Sequence, residues 1–261
     1  MSDWRAGAIV TVDGATLHAS FVGRKKTTTP TIVFLHEGLG SIKLWRDTPE
    51  KIATAVDRCG AILERQGYGS SSPVAVPRPL SYMHDEAKRL ATVLAKLRIS
   101  DAILVGHSDG ASIALIAAGM GLVQPWGIVA IAPHVFVEGV SIASITKAAD
   151  AYRNTDLRSR LAKYHDDVDG AFWGWNRAWL DPAFKKWNIE EYLPAIACPV
   201  LVVQGAKDEY GTMEQVRKIE RGVDGPVETE IVPKAGHSPF RDAPERVHSR
   251  ISAFIRTTLS S

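Results

Sequence analysis

Cysteine is scarce: two residues in 261, Cys59 and Cys198, far apart and each beside an apolar segment. Both are expected to be buried thiols, and so few of them exclude a disulfide framework. The histidines and cysteines show no metal-ligand spacing, so no metal is expected. Long apolar runs are also missing. No stretch approaches the ~18 consecutive apolar residues of a membrane span, and residues 1–5 lack the apolar core of a secretion signal. Charge of one sign is missing too: 31 basic against 29 acidic residues leave a net charge of +2. The largest basic cluster is the triplet Arg24-Lys25-Lys26, expected in a solvated loop. Nothing here calls for nucleic acid or a membrane. No internal repeat or low-complexity tract is present. The expectation is a cytoplasmic protein without a cofactor; homodimer formation stays open.

What is present is apolar material arranged in strand and helix periods. Hydrophobic residues make up 45% of the chain, enough for a large core in one domain. Residues 8–12 and 16–21 flank Asp13-Gly14, a hairpin signal. Apolar runs at 31–36, 61–65, 102–105, 127–133 and 199–205 read as buried strands. Residues 42–57 read as helical after Pro49. Met83, Ala87, Leu90, Leu94 and Leu97 recur at helical spacing behind Ser81, a candidate N-cap, with Asp85 and Glu86 in the first turn. Strand–helix alternation of this kind makes an α/β fold with a mainly parallel sheet covered on both faces. The rhythm breaks over residues 135–195, which hold four of the seven tryptophans: Trp173, Trp175, Trp179 and Trp187. It resumes at Pro199. A terminal helix follows, with Asp242 and Glu245 as its capping pair.

One pentapeptide stands out. Gly106-His107-Ser108-Asp109-Gly110 lies between the run 102–105 and an apolar helix. A serine at such a sharp strand-to-helix turn has its hydroxyl lifted clear of the sheet. A hydroxyl needs a base to take its proton, and the base needs an orienting acid. Asp208 follows the strand 199–205, with adjacent Glu209 as the weaker alternative. His237 follows the next strand, in a small-residue loop. The other histidines (His18, His36, His84, His107, His134, His165 and His248) lack that placement. Glu37 and Arg65 end neighbouring strands, and an ion pair between them is expected; direct substrate contact by Glu37 is the alternative.

The order Ser108, Asp208, His237 resembles the α/β-hydrolase arrangement. The resemblance covers nearly the whole chain through residues 34–41, 66–71, 106–110, 204–208 and 236–238. The chain is similar to small capped serine hydrolases, among them meta-cleavage carbon–carbon hydrolases, valacyclovir-hydrolase-like esterases and carboxylesterases. It departs from most of them in carrying His36-Glu37-Gly38 where they have His-Gly. The resemblance implies an eight-stranded, mostly parallel sheet. It divides the chain into a core, residues 1–134 and 196–261, and a cap, 135–195. It implies an oxyanion hole from the amides of Asp109 and Gly38, Leu39 being the weaker candidate for the second. In similar relatives an acid at the position of Asp109 holds a substrate amine; the simpler reading is stabilisation of the helix N-terminus. His107, Trp173 and Trp175 are further candidates for contact with substrate or support of the site. The aromatic cap either forms an apolar acyl pocket or packs into a small core of its own. Expected activity is hydrolysis of a small or medium carboxylic ester; the alternatives are carbon–carbon hydrolysis of vinylogous diketones and non-catalytic binding of a small molecule.

Overall fold

The computed structural model describes residues 7–24 and 30–260. Lys25, Lys26 and residues 1–5 lie outside that range; Arg24 lies within it and pairs with Asp57 at the surface. The hairpin signal is realised as β1 (Ala8–Val12) and β2 (Ala15–Gly23), joined through Asp13 and Gly14 at φ 49° and 77°. Positive φ at both positions is what a two-residue turn matched to strand twist requires. The remaining strands are β3 (Thr31–Leu35), β4 (Cys59–Leu63), β5 (Ala102–His107), β6 (Gly127–Ile131), β7 (Val200–Gly205) and β8 (Val227–Val232). They form one eight-stranded sheet ordered β1-β2-β4-β3-β5-β6-β7-β8. β1, β2 and β4 pair antiparallel; every pairing from β4 through β3 to β8 is parallel.

Both faces of the parallel part are buried, which explains the unbroken apolar runs. Ile32 and Phe34 face one hydrophobic cluster, whereas Val33 and Leu35 face the other. The first cluster is covered by α1 (Thr48–Ala55) and α9 (Pro244–Ser260). The second is covered by α2 (Tyr82–Lys96) and α3 (Asp109–Gly119). Between β6 and β7 lie α4 (Gly139–Asn154), α5 (Leu157–Leu161) and α6 (Val168–Leu180). Phe172, Trp175 and Trp179 of α6 join the α3-side cluster. Two short helices complete the set around the site: α7 (Met213–Gly222), after β7, and α8 (Pro239–Asp242), after β8.

Three local expectations are corrected. β4 covers Cys59–Leu63 rather than 61–65: the Glu64 amide still donates to the His18 carbonyl of β2 at 2.9 Å, but the Arg65 amide turns to the His36 ring at 3.2 Å. Ser81 precedes α2, but its hydroxyl donates to Asp85 at 2.8 Å instead of accepting a backbone amide. Asp242 does not cap α9. It ends α8, and its carboxylate accepts the Gly236 amide at 2.8 Å. Cys59 is buried and Cys198 half-buried, and neither is in a disulfide. Burial pushes the Cys198 thiol up to about 11. Among the described residues no helix is long and apolar enough to cross a membrane.

Candidate active site

Parallel strands deliver their carboxyl ends to one edge of the sheet, and at that edge α/β folds bind ligands. Here that edge carries Glu37 and Gly38 after β3, Arg65 after β4, Ser108 after β5, His134 after β6, Asp208 after β7 and His237 after β8. Ser108 has φ 52° and ψ −120°, a strained backbone for a residue with a Cβ. The turn is tight enough to dictate its glycines. A Cβ on Gly106 would strike the backbone of Gly110 and Ala111, and one on Gly110 would strike Leu35 and His36. Asp109 is the first residue of α3, where the amide has no intrahelical acceptor.

The three side chains spaced along the chain meet. His237 Nε2 lies 2.8 Å from Ser108 Oγ, and its Nδ1 lies 2.9 Å from both Asp208 oxygens. A carboxylate only accepts, so Nδ1 carries the proton. The Nε2 lone pair is then left facing the hydroxyl. Asp208 is held by the Tyr210 amide at 2.8 Å and the Gln204 side-chain amide at 2.8 Å. Burial would raise its carboxyl, but hydrogen bonds from His237 and the Tyr210 amide outweigh this and keep it below the usual range. Glu209 points elsewhere: its carboxylate accepts the backbone amide of His237 at 3.2 Å. Asp208 is therefore the ring's partner.

The expected Glu37–Arg65 ion pair is absent. The Glu37 carboxylate meets Arg241 Nη2 at 2.9 Å and faces His107 Nδ1 at 3.4 Å. Arg65 reaches the same residue by its backbone, donating from Nη2 to the Glu37 carbonyl at 2.8 Å. Ending neighbouring strands brought the two residues together, yet their side chains leave on different sides of the loop. Despite burial, the His107 ring facing it and the Arg241 guanidinium beside it hold Glu37 well below the usual glutamate range. His107 donates from Nε2 to the His237 carbonyl at 2.8 Å, so it braces the loop of the base.

A cleft opens over Ser108, with Gly38, Asp109, Trp175, Trp179 and Tyr210 among its walls. Trp175 is thus placed at the site, packed so closely on Gly38 that a Cβ there would collide with its indole. Trp173 is not. Its ring packs edge-to-face with Tyr152 and Phe172 and lies under the Arg153 and Arg177 guanidinium groups. Trp187 packs on Phe184 at 5.5 Å. The aromatic segment therefore divides: part lines the cleft, and the rest packs into the α3-side cluster rather than a core of its own. Asp109 is fully buried, with one carboxylate oxygen accepting the Tyr82 hydroxyl at 2.7 Å. Burial raises its carboxyl against the pull of Arg65 and Tyr82.

Sequence reading missed Tyr210, Ile145, Arg241 and the cleft position of His134. Each lies in a loop or helix without a recognisable local pattern. His165, set aside as a base, also has a place. It accepts the Gly69 amide at Nδ1, 3.0 Å, and donates from Nε2 to the Leu39 carbonyl, 3.0 Å, bridging two loops beside the cleft.

The enol-lactonase from Burkholderia xenovorans LB400 superposes with a TM-score of 0.74 at 17% identity, over 97% of this chain and 100% of that one. Proline iminopeptidase from Mycobacterium smegmatis gives 0.72 at 14% identity over 97% and 98%. MGS-M2, an alpha/beta hydrolase enzyme from a Medee basin deep-sea metagenome library, gives 0.76 at 17% over 95% and 97%. At these identities the likeness is one of fold. Among curated proteins there is no match. The profile of the alpha/beta hydrolase family matches residues 32–250, from β3 into α9 and through every residue that meets at Ser108. The chain belongs to the alpha/beta hydrolase family.

Proposed function

We propose that this chain hydrolyses small or medium carboxylic esters through an acyl-enzyme, with Ser108, His237 and Asp208 as its catalytic triad. The observation that carries the reading is the continuous contact from Asp208 through His237 to Ser108 Oγ, 2.9 and 2.8 Å, at the floor of an open cleft. Ser108 Oγ attacks the ester carbonyl carbon as His237 Nε2 takes its proton. Asp208 stabilises the imidazolium and holds its orientation. The amides of Asp109 and Gly38 receive the developing oxyanion. The alkoxy leaving group departs with the proton from His237. Water, deprotonated by the same nitrogen, then attacks the acyl carbon, and Ser108 leaves with its proton restored.

Residues 135–195 act as a cap in this reading, with Trp175 and Trp179 excluding water from the acyl group. Support comes from the position of both indoles on the cleft wall. Fluorophosphonate labelling and turnover of aryl esters of graded acyl length test the proposal together. Wild type should label and turn over, and Ser108→Ala should do neither, losing on the order of a millionfold in kcat. Undiminished ester hydrolysis by Ser108→Ala would end it.

A further inference from the structure

His134 is in an unusual state for a buried histidine. It lies 2% exposed just after β6, at a sharp turn where Ala132 has φ 46°. Its backbone is fully tied: the Ser112 hydroxyl donates to its carbonyl at 2.6 Å and accepts from its amide at 3.2 Å. The next residue's amide, on Val135, donates to Gln215 at 2.7 Å. The ring is also fixed, edge-on to Trp179 at 5.1 Å and tilted against His237 at 5.7 Å. Yet neither ring nitrogen has a hydrogen-bond partner among the described residues. Nδ1 is sealed away beside Gly211, leaving Nε2 as the nitrogen able to meet a ligand. The ring lines the same cleft as Ser108.

A polar group so rigidly held and so poorly satisfied is commonly waiting for a partner. We propose that His134 is a substrate-recognition residue whose Nε2 hydrogen-bonds an uncharged polar substituent, a hydroxyl or keto oxygen, on the ester bound at Ser108. The identity of that occupant as an ester rests on the hydrolase reading above. Three features select an uncharged group. Burial, with His237 alongside, lowers the His134 imidazole to about 3, so at neutral pH it is a neutral donor or acceptor. The remaining walls are mostly apolar: Leu39, Ile145, Trp175 and Trp179. Glu37 and Asp109, both on the cleft wall, disfavour an anion beside them. A hydroxyl or keto oxygen satisfies Nε2 without bringing a second charge next to His237.

The test reads binding rather than turnover, on the full chain carrying Ser108→Ala. NMR titration compares two matched pairs of probes: methyl beta-hydroxybutyrate against methyl butyrate, and ethylene glycol monobutyrate against propyl butyrate. The first pair places the hydroxyl on the acyl side and the second on the alcohol side. For at least one pair the hydroxylated probe should bind about tenfold more tightly, the usual worth of one neutral hydrogen bond. Adding His134→Leu should bring that ratio to about one, and His134→Asn, which keeps a donor and an acceptor, should restore most of it. A second readout needs no change at position 134: the His134 imidazole nitrogen resonance should shift with the preferred probe and not with its matched partner. Ratios near one for both pairs in Ser108→Ala, a preference that survives His134→Leu, or an unmoved resonance would each overturn the proposal. Fluorophosphonate labelling of wild type reports separately on the hydrolase reading. Its failure alongside the expected binding pattern would remove the chemistry and leave the recognition.

Discussion

Glu37 Oε1 lies 2.9 Å from Arg241 Nη2, and this contact ties the loop after β3 to α8, the helix that begins two residues past His237. The residue that departs from the His-Gly pattern is thus a clamp between the two loops that flank Ser108. A double-mutant cycle should find Glu37→Gln and Arg241→Gln coupled by ~0.5–2 kcal/mol in unfolding free energy. The same cycle with Arg65→Gln should give coupling near zero, because Arg65 holds the Glu37 carbonyl, which Gln retains. Denaturant titration measures both; equal couplings would displace Arg241 from this role.

The same clamp sets an acid limit. Glu37 is held well below its ordinary 4.5 when folded. A depressed carboxyl contributes stability that is complete above the unfolded value and lost as pH falls through the folded one. Wild type should therefore exceed Glu37→Gln in stability by a constant amount above about pH 5, with the gap closing as pH drops below 4.5. Thermal melts across that range check the sign. A gap that widened on acidification would contradict it.

Strain at Ser108 makes a second, separable claim. Its φ of 52° costs a residue with a Cβ ~1 kcal/mol or more, and glycine avoids that cost. Ser108→Gly should be more stable than Ser108→Ala by ~1 kcal/mol, although both should lack esterase activity. Equal melting of the two variants would mean that the turn is relaxed.

Gly38 depends on the indole packed against it. Gly38→Ala drives a methyl group into Trp175 and should displace either the loop or α6. We expect activity to fall by tenfold or more from a displaced amide donor, on the scale of losing part of an oxyanion contact. Trp175→Ala is itself costly because that indole is buried, but in its background Gly38→Ala should cost less stability than it does in wild type, because the colliding ring is gone. An equal cost in both backgrounds would show that the loop is limited by something other than this contact.

Much of the fold was legible because the signals are local. Apolar runs of strand length, Asp13-Gly14 and the helical stripe of α2 each depend on residues near in sequence, and each element formed. Errors fell at element ends, where side chains choose among several backbone partners. The Arg65 amide left the strand for the His36 ring, and Asp242 took the Gly236 amide instead of capping α9. The site was partly legible for the same reason. Ser108, Asp208 and His237 each sit in a short strand-end pattern. Tyr210, Ile145 and His134 reach the cleft from segments without such a pattern.

Determined by sequence alone were the α/β class, the strained serine turn and the chain order of the three residues that meet there, since backbone sterics and apolar period act over a few neighbours. Partners were decided only by tertiary structure: Arg241 rather than Arg65 for the Glu37 carboxylate, Trp175 rather than Trp173 for the cleft wall. Both choices depend on packing from elements more than a hundred residues away, and no local pattern encodes them.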